Sequence, residues 1–126
     1  QVIPAVCYTD PEIVTAGLSP DDAAALGSDR GFETVVGRGQ FAGNGRALGL
    51  GRNDGFVRVV ARADTHEVLG IQAVGAEVAE LATAFTMALE LGTVLEDLAG
   101  VVPAHPTLGE ALQEAVFRAL DRPLHS

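Results

Sequence analysis

The residues of this chain best suited to chemistry cluster near its C-terminal end, where His105 and Pro106 are followed by Thr107 and Glu110. An imidazole titrates near neutrality, so it can take up and return protons at physiological pH. A carboxylate bonded to one ring nitrogen fixes the tautomer and leaves the other nitrogen free to act as a base. Glu110 lies within one helical turn of the His105 loop and is of the right type for that task. The same residues also have a purely structural account. Thr107-Leu108-Gly109-Glu110 matches a capping box, in which Thr107 caps a helix and Glu110 bonds back to the Thr107 backbone N–H. A histidine in a loop that leads into a helix is often incidental, so both readings stay open on the residues alone. The other candidates read as bland. His66 and His125 look like solvated side chains, and Cys7, in the apolar run Val2–Tyr8, looks like a buried, inert thiol.

A second stretch invites a nucleotide-binding reading. Gly37 to Gly55 holds seven glycines, including Gly37-x-Gly39 and Gly43-x-Gly45. The dinucleotide fingerprint needs its third glycine three residues on and a helix directly after it. Neither is present, so the stretch reads as loop with an irregular strand near Phe41. No phosphate-loop, nucleophile-elbow or zinc-ligand spacing occurs, and one cysteine makes no internal disulfide.

Composition narrows the partners. Seventeen acidic residues against eight basic ones, all arginine, give a net charge of −9. Nucleic acid is excluded as a partner, because phosphate binding requires positive charge. A basic protein partner, or simple solubility, fits the acidic balance. With 48% hydrophobic residues in 126, the chain can bury the core of one domain. No apolar run is long enough to predict a membrane span, and no signal peptide is legible. The single cysteine is the usage of a cytoplasmic protein. An initial Gln1 in place of Met suggests a piece of a longer protein.

The elements that must position His105 follow from pattern. Val2–Tyr8 reads as a strand or extended entry, and Asp10-Pro11-Glu12 as a turn. Ser19, Pro20, Asp21 and Asp22 open a helix, with Ser19 as N-cap, and Gly27 is expected to stop it after Leu26. Phe32–Gly37 reads as a weak strand. Phe56–Ala63 and Val68–Val74 read as strands joined by an Asp64–Glu67 hairpin turn. Val78, Leu81, Ala82, Phe85, Ala88 and Leu89 mark one long amphipathic helix ended by Gly92. A short helix over Val94–Leu98 comes next. The final helix starts at Thr107, with Leu108, Ala111, Leu112, Ala115, Val116, Ala119 and Leu120 as its apolar stripe. Phe117 points off that stripe, about 180° from Leu108 at 100° per residue. Strands precede helices without β-α-β alternation, which predicts an α+β fold, a mainly antiparallel sheet covered by helices.

His105-Pro106-Thr107 with Glu110, at the end of such a domain, resembles the C-terminal motif of the pyridine nucleotide–disulfide oxidoreductases. The rest of the chain falls in the same order. Ile3-Pro4-Ala5-Val6 and Tyr8-Thr9-Asp10-Pro11-Glu12 resemble the family's opening segment, Asn44 with Arg46-Ala47 its Asn-x-Arg-Ala segment, and Val68-Leu69-Gly70 through Gly75 and Glu80 its strand into the long helix. The resemblance implies that residues 1–126 are the dimerisation domain, the FAD and NAD domains of the parent chain being absent. It implies a homodimer in which His105 is the acid–base residue at the partner subunit's disulfide and flavin. Glu110 would be the carboxylate bonded to it. The backbone of His105 and Pro106, joined by a cis bond, would lie near the partner's FAD. FAD and NAD would belong to the parent enzyme, with none bound to this fragment. Within the family the motif is most like that of the dihydrolipoamide dehydrogenases, with glutathione- or mycothiol-type reductases as rivals. Gly109 stands where Ser is usual, and Asp10 where His is frequent. In the dehydrogenase branch this domain resembles a docking surface for the basic subunit-binding domain of a dihydrolipoamide acyltransferase.

Overall fold

The computed structural model describes residues 3–40, 55–100 and 109–121, except the side chains of 109 and 110. Five strands, β1 (Ala5–Cys7), β2 (Glu12–Gly17), β3 (Thr34–Gln40), β4 (Phe56–Arg62) and β5 (Val68–Gly75), form one sheet in the order β1-β2-β5-β4-β3. Every neighbouring pair is antiparallel. The helices are α1 (Pro20–Arg30), α2 (Ala82–Glu90), α3 (Leu95–Ala99) and α4 (Gly109–Asp121), with a 3₁₀ turn over Val78–Leu81 leading into α2. The α+β expectation holds, and the sheet is wholly antiparallel.

Helix α1 begins as its capping residues predict. The Ser19 hydroxyl accepts the Asp22 N–H at 3.1 Å, Pro20 opens the first turn, and Asp21 and Asp22 face the positive end of the helix. The expected stop at Gly27 is wrong. The helix continues to Arg30 and ends at Gly31, whose φ of 84° takes the left-handed conformation. Gly27 is there for space instead: a Cβ at that position would lie 2.3 Å from the Phe32 carbonyl oxygen.

Strand β2 was not foreseen. Reading Asp10–Glu12 as a turn left the next residues unassigned, yet Glu12–Gly17 pairs with both β1 and β5. Its weak alternation has a simple cause, since only Val14 and Ala16 are buried in the core.

The glycine-rich reading also needs correction at its start. Gly37 and Gly39 belong to β3, which runs to Gln40, three residues beyond the expected end. A Cβ on Gly37 would sit 2.0 Å from the Ala115 carbonyl oxygen, and one on Gly39 2.0 Å from that of Ala111. These glycines therefore let the α4 backbone lie directly on the sheet. Residues 41–54, including Phe41, Asn44 and Arg46, lie outside the described residues.

One face of the sheet carries Val14, Ala16, Val35, Val57, Val59, Ile71 and Ala73. They pack with Val78, Leu81, Phe85, Leu95, Ala111, Ala115, Val116 and Ala119 in a single core. The predicted stripes of the second and last long helices are thus the faces that bury. The stretch from Val78 is not one continuous helix. It opens as a 3₁₀ turn after Glu77, whose φ is 61°, and becomes α-helical at Ala82. The buried polar side chain Gln72 is satisfied, accepting from Arg58 Nε at 2.9 Å and donating to the Leu18 carbonyl at 2.8 Å. No helix among the described residues is long and apolar enough to cross a membrane.

Candidate functional site

The segment that carries the candidate chemistry is bounded by two docked helices. Before it, α3 ends at Ala99 and Gly100; after it, α4 starts at Gly109. Helix α4 is held on β3 and β4 by the close Gly–Ala approach, with Ala115 and Val116 fully buried. The Glu114 carboxylate accepts the Gln40 backbone N–H at 3.2 Å and pairs with Arg118 at 3.4 Å. Gln113 Nε2 donates to the Ala99 carbonyl at 3.4 Å, tying α4 to the end of α3. Glu110 lies in the first turn of α4. His105, Pro106 and Thr107, the cis bond expected between the first two, and the Glu110 side chain lie outside the described residues, as does His125.

Helix α3 is itself anchored at its start. Its N-cap, Val94, has no side-chain acceptor, and Asp97 bonds back to the Val94 N–H at 3.0 Å. The Leu95 N–H is satisfied by the His66 carbonyl at 2.9 Å, the Val68 N–H donates to the Thr93 carbonyl at 3.0 Å, and Glu67 and Val94 form an isolated β-bridge. The Leu95 side chain is fully buried. His66, expected as a solvated loop residue, keeps a third of its side chain exposed but also has a partner. Its Nδ1 meets Glu96 Oε2 at 2.5 Å, and it holds φ at 65°. The His66 contact, with the Glu96 backbone N–H, holds the Glu96 carboxyl below its ordinary pKa, and Asp97 nearby pushes the other way. No local pattern could have signalled this pair, because thirty positions separate its members.

Two further surfaces stand out. Arg38 lies over the Phe56 ring at 3.9 Å and Arg58 at 5.8 Å. Burial and the Arg38 charge both lower the Arg58 pKa, and Asp21 opposes them. An apolar groove runs between Pro4 and the outer side of α2, lined by Ala82, Thr86, Met87 and Leu91. Met87 and Leu91 are exposed, as are Ile3, Tyr8 and Phe117. Phe117 thus points off the buried stripe, as its place on the helical wheel predicts. Cys7 is exposed, contrary to the buried thiol expected, because β1 is the edge strand of the sheet.

The described residues do not build a cradle for a dinucleotide. The space over Gly37 and Gly39 is filled by the α4 main chain.

Residues 3–116 match the family described as "Pyridine nucleotide-disulphide oxidoreductase, dimerisation domain". The chain belongs to that family. It is similar to a dihydrolipoyl dehydrogenase of Pseudomonas aeruginosa, 59% identical over 123 residues, which cover 98% of this chain and 26% of the relative. A dihydrolipoyl dehydrogenase of Halobacterium salinarum is 48% identical over all 126 residues, again 26% of its own length. The chain thus spans about a quarter of these relatives. Among solved structures, the HOCl-induced flavoprotein disulfide reductase RclA of Escherichia coli superposes with a TM-score of 0.82 at 18% identity, covering 93% of this chain and 26% of that one. LpdA of Mycobacterium tuberculosis superposes with 0.79 at 23%, covering 92% and 24%. At such identities these two show the fold of the dimerisation domain alone.

Proposed function

We propose that this dimerisation domain is residues 1–126 of a dihydrolipoyl dehydrogenase, an NAD-dependent flavoenzyme that oxidises dihydrolipoamide, and that it works in a cytoplasmic homodimer. The observation that carries the reading is 59% identity over 98% of the chain to a protein of that name. FAD supplies the electron acceptor next to a redox disulfide, and both, with NAD, are held by the rest of the subunit and its partner. In this reading His105 reaches the partner subunit's disulfide and takes a proton from the substrate dithiol. The chemistry needs such a base, because an ordinary thiol with a pKa near about 8.5 is mostly protonated at pH 7 while only the thiolate attacks. Glu110 bonds the far nitrogen of the ring and fixes its tautomer. The backbone of His105 and Pro106 lines the partner's flavin. The docking of α3 and α4 on either side of the segment supports this role, since a base acting across a subunit boundary must be held in place.

In the full-length enzyme, His105→Ala should lower lipoamide turnover by at least about tenfold, within the usual range for removing a general base, while the flavin stays bound. Unchanged turnover sinks the catalytic role. Assay with glutathione and mycothiol disulfides separates the rival substrates, and turnover of either in place of lipoamide would move the protein to that branch. The net charge of −9 favours one addition, a docking role toward a basic subunit-binding domain of an acyltransferase.

A further inference from the structure

We infer that His66 is a positioning residue: its hydrogen bond with Glu96 clamps the start of α3 to the β4–β5 turn and so holds the helix from which the chain runs on toward His105. The catalytic consequence rests on the function proposed above, whereas the clamp itself does not.

The turn is a costly place for this residue. A left-handed φ of 65° is adopted most easily by glycine or asparagine, and a hairpin turn would ordinarily use one of them. Histidine there needs compensation, and the contacts supply it. Its N–H donates to the Arg62 carbonyl at 3.0 Å, its carbonyl accepts the Leu95 N–H at 2.9 Å, and its ring pairs with Glu96. Main chain and side chain of one residue thus hold two successive residues of α3.

A five-residue helix cannot fix its own position, since isolated short helices are unstable and Val94 offers no capping side chain. Its placement comes from the buried Leu95, from the Thr93–Val68 and Val94–Glu67 backbone contacts, and from His66. At its far end the Ala99 carbonyl already meets Gln113 of α4. Two residues further on, at 101, the segment with His105 begins. The charges around the clamp are acidic apart from Arg62. Asp97 lies beside Glu96, Glu67 follows His66, and Asp64 on the same turn is taken up by Arg62. His66 is consequently the partner available to Glu96 from this turn.

The test uses the full-length dimer. His66→Asn keeps a residue that tolerates the left-handed conformation but cannot carry charge, and Glu96→Gln removes the charge from the other side. Both variants should speed hydrogen exchange at the Leu95 amide about tenfold relative to Val59 in β4. Both should lower kcat about three- to tenfold and leave the KM for NAD unchanged, and the double variant should be no worse than either single one. Unchanged exchange at Leu95 would overturn the clamp. Faster exchange with unaltered kcat would overturn its positioning of the site. Strictly additive effects would show that the two residues do not act as a pair. Should His105→Ala prove silent while Leu95 exchange still responds to His66→Asn, the proposed function fails and the clamp stands.

Discussion

At the residue scale, the hairpin turn shows how a few charged groups are used. Arg62 donates from Nε and from Nη2 to the two oxygens of Asp64, at 2.9 and 2.7 Å. This bidentate pairing, with help from the Thr65 N–H, brings the Asp64 pKa down to about 2. A carboxyl whose folded pKa lies below its unfolded value, about 3.9, contributes stability above that value and loses it as the pH falls toward 2. NMR titration of Asp64 should therefore give a midpoint near 2, and Arg62→Gln should move it upward. A midpoint unchanged by that substitution would mean solvent screens the pair completely, as it does for many exposed ion pairs. Sequence spacing suggested the turn here, but not that the turn's histidine reaches a glutamate thirty positions on. Pairings of that kind are made by chain folding, not by local pattern.

Among the elements, α4 depends most on small residues. Gly37 and Gly39 face Ala111, Ala115 and Ala119 so closely that any side chain at either strand position would strike the helix main chain. Gly39→Val should destabilise the protein by at least about 3 kcal/mol, the upper end for overpacking, because backbone must move in place of a flexible side chain. Gly92→Ala is the control. Nothing lies within 4 Å of that position, so only its φ of 63° resists, at a cost of about 1 kcal/mol. Chemical denaturation of the two variants gives the comparison, and equal losses would refute the close approach. On α1, Ser19→Ala should cost about 1 kcal/mol through loss of the N-cap. The cap was plain in the sequence, as were the buried stripes of α2 and α4, because both rest on neighbours three and four positions apart. The end of α1 was misjudged because glycine serves two purposes, left-handed conformation and close packing. Only the tertiary contact with Phe32 separates them at Gly27.

For the whole molecule, the exposed apolar side chains and the acidic balance point to contacts with other chains. Met87 and Leu91, both exposed, line one apolar groove beside α2, and a contiguous apolar surface of that kind suits an interface. The full-length protein should sediment as a dimer, and a monomer at micromolar concentration would count against the homodimer. Binding of a basic subunit-binding domain should weaken as salt rises from 0.05 to 0.5 M (chosen to shorten the Debye length to below about 8 Å), and salt-independent affinity would remove the docking role.

Residue type and short-range order alone determined that the chain makes an α+β domain, which helix faces turn inward, and through the ordered motifs around His105, which family it resembles. The fold class and the inward faces rest on local periodicity, capping and turn chemistry, which act over a few residues and are written along the chain, whereas the family rests on the resemblance of its ordered motifs. The tertiary structure alone decided that Glu12–Gly17 joins the sheet, that two glycines seat a helix, that Cys7 lies on an exposed edge, and that His66 grips Glu96. Each of these depends on which distant segment arrives alongside, and that is settled by burial of the common core.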